Sequence, residues 1–308
     1  MHHGRCRSQR RTIGDVWVAA SLFKTNAHVG TYARAEMTDG AGSRPLANGT
    51  CLWPAALIVW GPGLAWPHHS HDCTQLVVAF TGTLRVREGR RSRWRRCRGV
   101  VVKANTAHEI DASDSLVLMA FIGKESTLGA AVTKRVRPAV GIVSNGQAAR
   151  WRRTLGDPKA LDSTRVKRWV SSTLLGSRSS APIHPRLEPV IRMLRDDGLA
   201  TPKTSLVALA TMSGLSPSRF GHIFTESMGV PLRPYLRWLR LQRAARELVS
   251  GRSITQAAHI AGFADAAHLT RTFRRLLGTA PRNVIARASL TVDTLARLQQ
   301  KMHANDGL

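Results

Sequence analysis

Two stretches of the C-terminal half repeat one another, and they limit what this 308-residue chain can fold into more than any other feature. "SLVALATMSGLSPSRFGHIFTESMG" starts at Ser205 and "SITQAAHIAGFADAAHLTRTFRRLLG" at Ser253. Ser205, Leu206, Ala210, Gly214 and Leu215 answer to Ser253, Ile254, Ala258, Gly262 and Phe263 at an offset of 48. Phe220, Phe224 and Gly229 answer to Leu269, Phe273 and Gly278 at 49, so the second turn holds one extra residue. Each copy reads as helix, glycine-containing turn, helix. In the first, Ser216 is placed to cap a helix with Pro217 at its first position and Phe220, Ile223 and Phe224 facing inward. In the second, Asp265 is placed to cap a helix whose Leu269, Phe273 and Leu276 face inward. Ala210 and Ala258 let the two helices of each unit approach closely, and Gly214 and Gly262 permit the tight turn. Between the copies, "VPLRPYLRWLRLQRAARELVSG" predicts one continuous helix after Pro234, holding the two units at a fixed separation. Ahead of them, "RLEPVIRMLRDD" sets Leu187, Val190, Ile191 and Leu194 on one apolar stripe.

The duplicated unit, the connecting helix, "AGFADAAHLTRTFRRLLGTAP" and "RLEPVIRMLRDD" closely resemble the DNA-binding domain of AraC/XylS-type transcriptional regulators. The resemblance covers about residues 186–288, roughly a third of the chain. It implies an all-α double helix-turn-helix domain whose two recognition helices enter successive major-groove segments of double-stranded DNA, ~34 Å apart on one face. The helical wheel names the residues. With Phe220 and Phe224 buried, Ser218, Arg219, Gly221 and His222 are left toward solvent; with Leu269 and Phe273 buried, Ala267, Thr270, Arg271 and Arg274 are. Arg219 and Arg271 are the best base readers, because a guanidinium can bond guanine O6 and N7 together. Arg274, Arg275, Arg237, Arg240 and Arg243 fit phosphates or local salt bridges.

Charge agrees with an anionic partner. The formal net charge is +27, nearly all of it from arginine, since only eight of the 46 basic residues are lysines. Residues 186–287 carry 16 basic and 6 acidic side chains, enough for a substantial phosphate contribution with steep salt dependence.

The N-terminal half follows a different period. From Cys51 to about Ile122, "QLVVAF", "TLRVR", "GVVV" and "SLVLMAFI" read as closely spaced strands, suggesting a small barrel or sandwich. Within this region "PHHSHDCTQL", residues 67–76, gathers three histidines, an aspartate, a cysteine and a glutamine. Strand alternation puts His69 and His71 on one face and His68 on the other. The frame Gly63, His69-Ser70-His71, Gln75, Gly82 is similar to the first motif of the cupin superfamily, with glutamine at a position often held by glutamate. "GVVVKANTAHEI" resembles a shortened second motif with His108 near the expected third histidine. The resemblance covers about residues 51–132 and implies a cupin-like jelly-roll β-barrel, the sensor type of some AraC-like regulators. It further implies an effector pocket where His69, His71, Gln75 and His108 converge. His69, His71 and His108 can hold a divalent ion with a position left open. The same histidines can instead hydrogen-bond an organic effector, or satisfy one another. "RVREGRRSRWRRCR", 85–98, with eight arginines and one glutamate, reads as a solvated hairpin or a second nucleic-acid patch, with Trp94 packed beneath it.

Four cysteines at 6, 51, 73 and 97 form no C-x-x-C and no disulfide framework, which suits a reducing compartment. No 18-residue apolar stretch exists, and no clean cleavage site follows the basic start, so a soluble cytoplasmic protein without a membrane partner is expected. The expected organisation is α+β with two domains: 1–50 a poorly ordered arm, 51–132 the sensor, 133–185 a connector, 186–288 the DNA-binding domain, 289–308 a tail. The expected function is an effector-responsive transcriptional regulator, not an enzyme, with DNA, a small-molecule effector, a homodimer and, for an activator, RNA polymerase as partners. The alternative is a metal-dependent cupin enzyme fused to a DNA-binding domain.

Overall fold

The computed structural model describes residues 49–176, 183–196, 204–278 and 280–281. The expected arm, apart from residues 49 and 50, and the expected tail lie outside the described residues. The N-terminal part holds ten strands in two antiparallel sheets: β1 (Gly49–Trp53), β2 (Ala56–Pro62), β3 (Ala65–His69), β4 (Cys73–Ala79), β5 (Leu84–Glu88), β6 (Arg95–Cys97), β7 (Gly99–Val102), β8 (His108–Asp111), β9 (Leu116–Gly123) and β10 (Val140–Ile142). One sheet runs β1-β2-β9-β4-β7-β10 and the other β3-β8-β5-β6.

The larger sheet is buried on both faces, which explains why β2, β4 and β9 are continuous apolar runs rather than alternating ones. Strand alternation sorts their side chains. Leu57, Val59, Val77, Val117, Met119 and Phe121 point between the sheets, where they meet Leu84, Val86 and Ile110 of the smaller sheet. Ile58, Trp60, Leu76, Val78, Leu118 and Ala120 point the other way, onto a layer of helices.

That helical layer lies largely within the expected connector and corrects it. α1 (Thr127–Thr133) is followed by β10, which pairs with β7. Then come α2 (Asn145–Leu155), α3 (Ser163–Trp169) and a π-helical turn over Val170–Leu175. Trp151 and Trp169 meet edge-to-face at 6.1 Å and are completely buried against the sheet. Residues 133–176 therefore extend the β-rich domain past 132. Their helices are short and studded with arginine, so a few large anchors rather than a periodic stripe hold them down.

The C-terminal part is helical: α4 (Glu188–Asp196), α5 (Leu206–Met212), α6 (Pro217–Met228), α7 (Leu232–Val249), α8 (Ile254–Ile260) and α9 (Ala266–Leu277). Leu187, Val190, Ile191 and Leu194 are all buried, as the stripe predicts. The second helix of each unit opens on its expected cap. Ser216 Oγ accepts from the Arg219 N–H and Asp265 Oδ1 from the His268 N–H. Ser253 adds a capping box, exchanging hydrogen bonds with Gln256. Gly214 and Gly262, in the two turns, have φ of 61° and 75°, a region that only glycine enters freely. The connecting helix α7 begins at Leu232 rather than after Pro234. Pro234 lies in its first turn, where an N–H has no intrahelical partner to lose.

The two parts are packed together. A single hydrophobic cluster runs from between the sheets into the helices, joining Val77 and Met119 to Trp238, Phe224 and Phe273. Gln242 on α7 donates to the Ala56 carbonyl at 3.2 Å, and the Thr127 N–H donates to the Gly229 carbonyl at 2.7 Å. Among the described residues no helix is long and apolar enough to cross a membrane.

Candidate functional site

The first candidate surface is the outer faces of α6 and α9. Phe220, Ile223 and Phe224 are buried on one helix and Leu269, Phe273 and Leu276 on the other, leaving Ser218, Arg219 and His222, and Ala267, Arg271 and Arg274, exposed. Gly221 is half-buried. Thr270 differs from its expected place: it is half-buried and its hydroxyl donates to the Ala266 carbonyl at 2.8 Å, so its side chain is engaged within the helix. At the 49-residue offset Ser218 stands where Ala267 does and His222 where Arg271 does. Arg237, Arg240 and Arg243 are half-buried on α7. Arg237 lies 3.9 Å from Glu125, which fits the local-pair alternative rather than a phosphate contact.

The second candidate is a histidine cage. His69 at the end of β3 is the direct cross-strand partner of His108 on β8, and their rings are 4.3 Å apart. His71 follows β3 in the turn, and Gln75 reaches in from β4 on the other sheet. All four expected residues thus meet between the sheets, while His68 stands apart, 3.9 Å from Glu109. The cross-strand pairing of His69 with His108 follows a bulge between Trp66 and His69, which no alternation rule specifies. Asn105, where φ is 61°, donates its N–H to the His71 carbonyl and holds the β7–β8 turn against the cage.

The protonation pattern follows from the neighbours. His69, His71 and His108 each direct Nδ1 at a backbone carbonyl: Pro67 at 2.7 Å, Cys73 at 3.1 Å and Thr106 at 2.8 Å. A carbonyl only accepts, so each of these contacts calls for a hydrogen on Nδ1. His71 and His108 turn Nε2 toward the same atom, Gln75 Oε1, at 3.2 and 2.9 Å. An amide oxygen also only accepts, so a neutral ring with one N–H satisfies either its carbonyl or Gln75 and not both. One ligand atom from each of the three rings lies within 4.8 Å of the others. Burial, together with the positive charge that His69 can carry, pushes His71 down to about 4 and His108 down to about 2, so neither supplies a proton near neutrality. The Gln75 amide nitrogen donates to Met119 Sδ at 3.1 Å, which orients the oxygen inward. Sequence reasoning missed Met119; its signal was the inward alternation of β9.

The carboxylates around the cage are occupied elsewhere. Asp72 pairs with Lys124 at 2.5 Å, Glu109 with Arg87 at 2.7 Å and Asp111 with Arg85 at 2.5 Å. Arg85 and Arg87 also lie over Trp94, at 5.5 and 4.7 Å, so the basic hairpin is braced by an exposed indole rather than packed on a buried one. Burial pushes the Cys51 thiol up to about 12 and Cys97 up to about 11, so both remain thiols at neutral pH.

Comparison with known proteins addresses the C-terminal half first: a helix-turn-helix domain family model matches residues 209–287. Over 76% of its length the chain is similar to ToxT from Vibrio cholerae O395, with 11% identity, 98% of that chain covered and a TM-score of 0.40. The C-terminal part is similar to an AraC-type transcriptional regulator from Chromobacterium violaceum, with 26% identity, 34% and 92% coverage and a TM-score of 0.30. It is also similar to a DNA-binding transcriptional dual regulator from Escherichia coli K-12, with 22% identity, 36% and 96% coverage and a TM-score of 0.30.

Proposed function

We propose that this chain, whose C-terminal part is an AraC-type helix-turn-helix domain, is a sequence-specific, effector-responsive transcriptional regulator acting in the cytoplasm. The observation that carries the reading is the duplicated, side-chain-capped helix pair, with each apolar face buried, Arg219 exposed on α6 and Arg271, Arg274 and Arg275 exposed on α9. Arg219 and Arg271 read bases, supported by Ser218, His222 and Ala267, while Arg274 meets phosphate. Two copies reading adjacent sites, and contact with RNA polymerase where the protein activates, belong to the same reading. Mapping of genomic sites followed by footprinting tests it. The expected result is two protected major-groove segments about 10 bp apart per protomer. Uniform binding to unrelated sequences would overturn it.

The N-terminal domain is read as a cupin-like jelly roll that senses the effector through the cage. The donor set fits a divalent ion: three imidazoles whose ligand atoms lie within 4.8 Å of one another, each able to give its Nδ1 hydrogen to a backbone carbonyl and an Nε2 lone pair to the metal, plus the Gln75 oxygen. Such an ion would draw a polar effector oxygen into an open coordination position. The competing reading, a metal-dependent cupin enzyme tethered to DNA, needs an acid–base group beside the cage, and the neighbouring carboxylates are committed to arginine and lysine. Metal analysis of protein prepared without chelator, with and without His108→Ala, tests the ion. Turnover of an oxygen-bearing substrate by the metal-loaded protein would favour the enzyme.

A further inference from the structure

The end of α9 and the histidine cage share one short segment. The Asp72 N–H donates to the Arg275 carbonyl at 2.6 Å, and the Cys73 thiol donates to the Leu276 carbonyl at 3.0 Å. Both carbonyls belong to the last turn of α9, which has no intrahelical donors of its own to offer them. This pair of donors follows directly on His71 and stands two positions ahead of Gln75, both members of the cage. One position beyond the helix, Gly278 caps it at φ 70°, and a Cβ there would stand 2.7 Å from Cδ2 of His69. Three of the four cage residues therefore touch the end of α9 or lie within two positions of a residue that holds it.

The other reading helix is anchored elsewhere. The C-cap of α6, Gly229, accepts from the N–H of Thr127 at 2.7 Å and from its hydroxyl at 3.1 Å, at the start of α1. The two recognition helices are thus tied to two different points of the β-rich domain, and only one of those points belongs to the cage.

We propose that occupation of the cage sets the position of α9 relative to α6 through the 71–75 segment, so that the second DNA contact reports directly on what the histidines hold. This rests on the reading of the cage as the effector site. The histidine ligand atoms lie up to 4.8 Å apart. A tetrahedral ion bonded at about 2.05 Å to each imposes an edge of about 3.4 Å, so binding draws the rings inward by on the order of 1 Å. His69 is the least buried of the three and lies under Gly278, so its movement changes the contact with the cap. His71 carries Asp72 and Cys73 with it, and the carbonyls of α9 follow. The Thr127 anchor of α6 is not in this path.

The full-length protein and Co²⁺ provide the test, with visible absorption reporting imidazole ligation. Three readouts are compared with and without the ion: affinity for a site containing both major-groove segments, affinity for a site containing the α6 segment alone, and amide exchange over residues 274–277. The expected result is a change of about fivefold or more for the two-segment site, none for the single segment, and altered exchange at the end of α9. Cys73→Ala weakens the tie, so it keeps the Co²⁺ band but loses part of the change, whereas Cys73→Ser retains a donor and restores it. A Co²⁺ band abolished by His108→Ala, with DNA binding and exchange both indifferent to the ion, overturns the coupling and leaves the effector reading intact. Absence of any band overturns the metal reading, and the coupling with it, while leaving DNA recognition untouched.

Discussion

Arg271 and His222 occupy equivalent places on α9 and α6, yet only the arginine can bond guanine at two atoms. Arg271→Ala is expected to cost about 1–3 kcal/mol and to relax preference at one base pair, whereas loss of a phosphate contact weakens all sequences alike. Binding measured across a set of singly mutated operators separates the two outcomes. Asp265 bears on the same helix from its other end. The hydrogen bond from the His268 N–H, helped by the nearby charge of Arg271, holds its carboxyl below the ordinary 3.8. A carboxylate depressed in the folded state stabilises above its unfolded value, and that contribution disappears as pH falls through the folded value. The N-terminal turn of α9 should therefore loosen below about pH 3.8, visible as faster amide exchange. In Asp265→Asn, which keeps an uncharged cap, this pH dependence should vanish. These residues were legible beforehand because caps and outward faces follow from a few neighbouring positions. Thr270 was not: its hydroxyl turns back onto its own helix, a choice between rotamers that spacing does not make.

At the scale of elements, the repeat made α5, α6, α8 and α9 readable, because serine or aspartate caps and periodic apolar faces are properties of contiguous sequence. The capping box at α8 follows the same logic. Ser253→Ala, which leaves the Gln256 N–H without its partner, is expected to lower stability by about 1 kcal/mol in a urea titration. The strands fared unevenly. Continuous apolar runs such as β4 and β9 stood out, whereas the three-residue β6 and β10 carry too few side chains to show a period. The helical layer over 145–175 was hidden for a related reason. Its helices are rich in exposed arginine, and their attachment rests on Trp151, Trp169 and a few leucines whose burial depends on the sheet beneath.

At the scale of the molecule, the reading domain and the β-rich domain share one apolar cluster, with Trp238 of α7 against Gly123 at the end of β9. A Cβ on Gly123 would lie 2.9 Å from Trp238 Nε1 and 3.2 Å from the Ala55 carbonyl. Calorimetry should therefore record one cooperative unfolding transition for the wild type and two separated transitions for Gly123→Val, with DNA binding by the detached helices retained. By itself, the sequence determined the double helix-turn-helix, its caps, its inward faces and the arginines on the outer face of α9, since each depends on residues within one or two helical turns. It also brought His69, His71, Gln75 and His108 together as candidates. Only the tertiary structure decided how they meet: the bulge before His69, the cross-strand pairing with His108 and the approach of Gln75 from the opposite sheet are matters of register between distant strands. The seating of α9 on residues 72 and 73 belongs there too, because a helix's last carbonyls take whatever donor the packed chain presents to them.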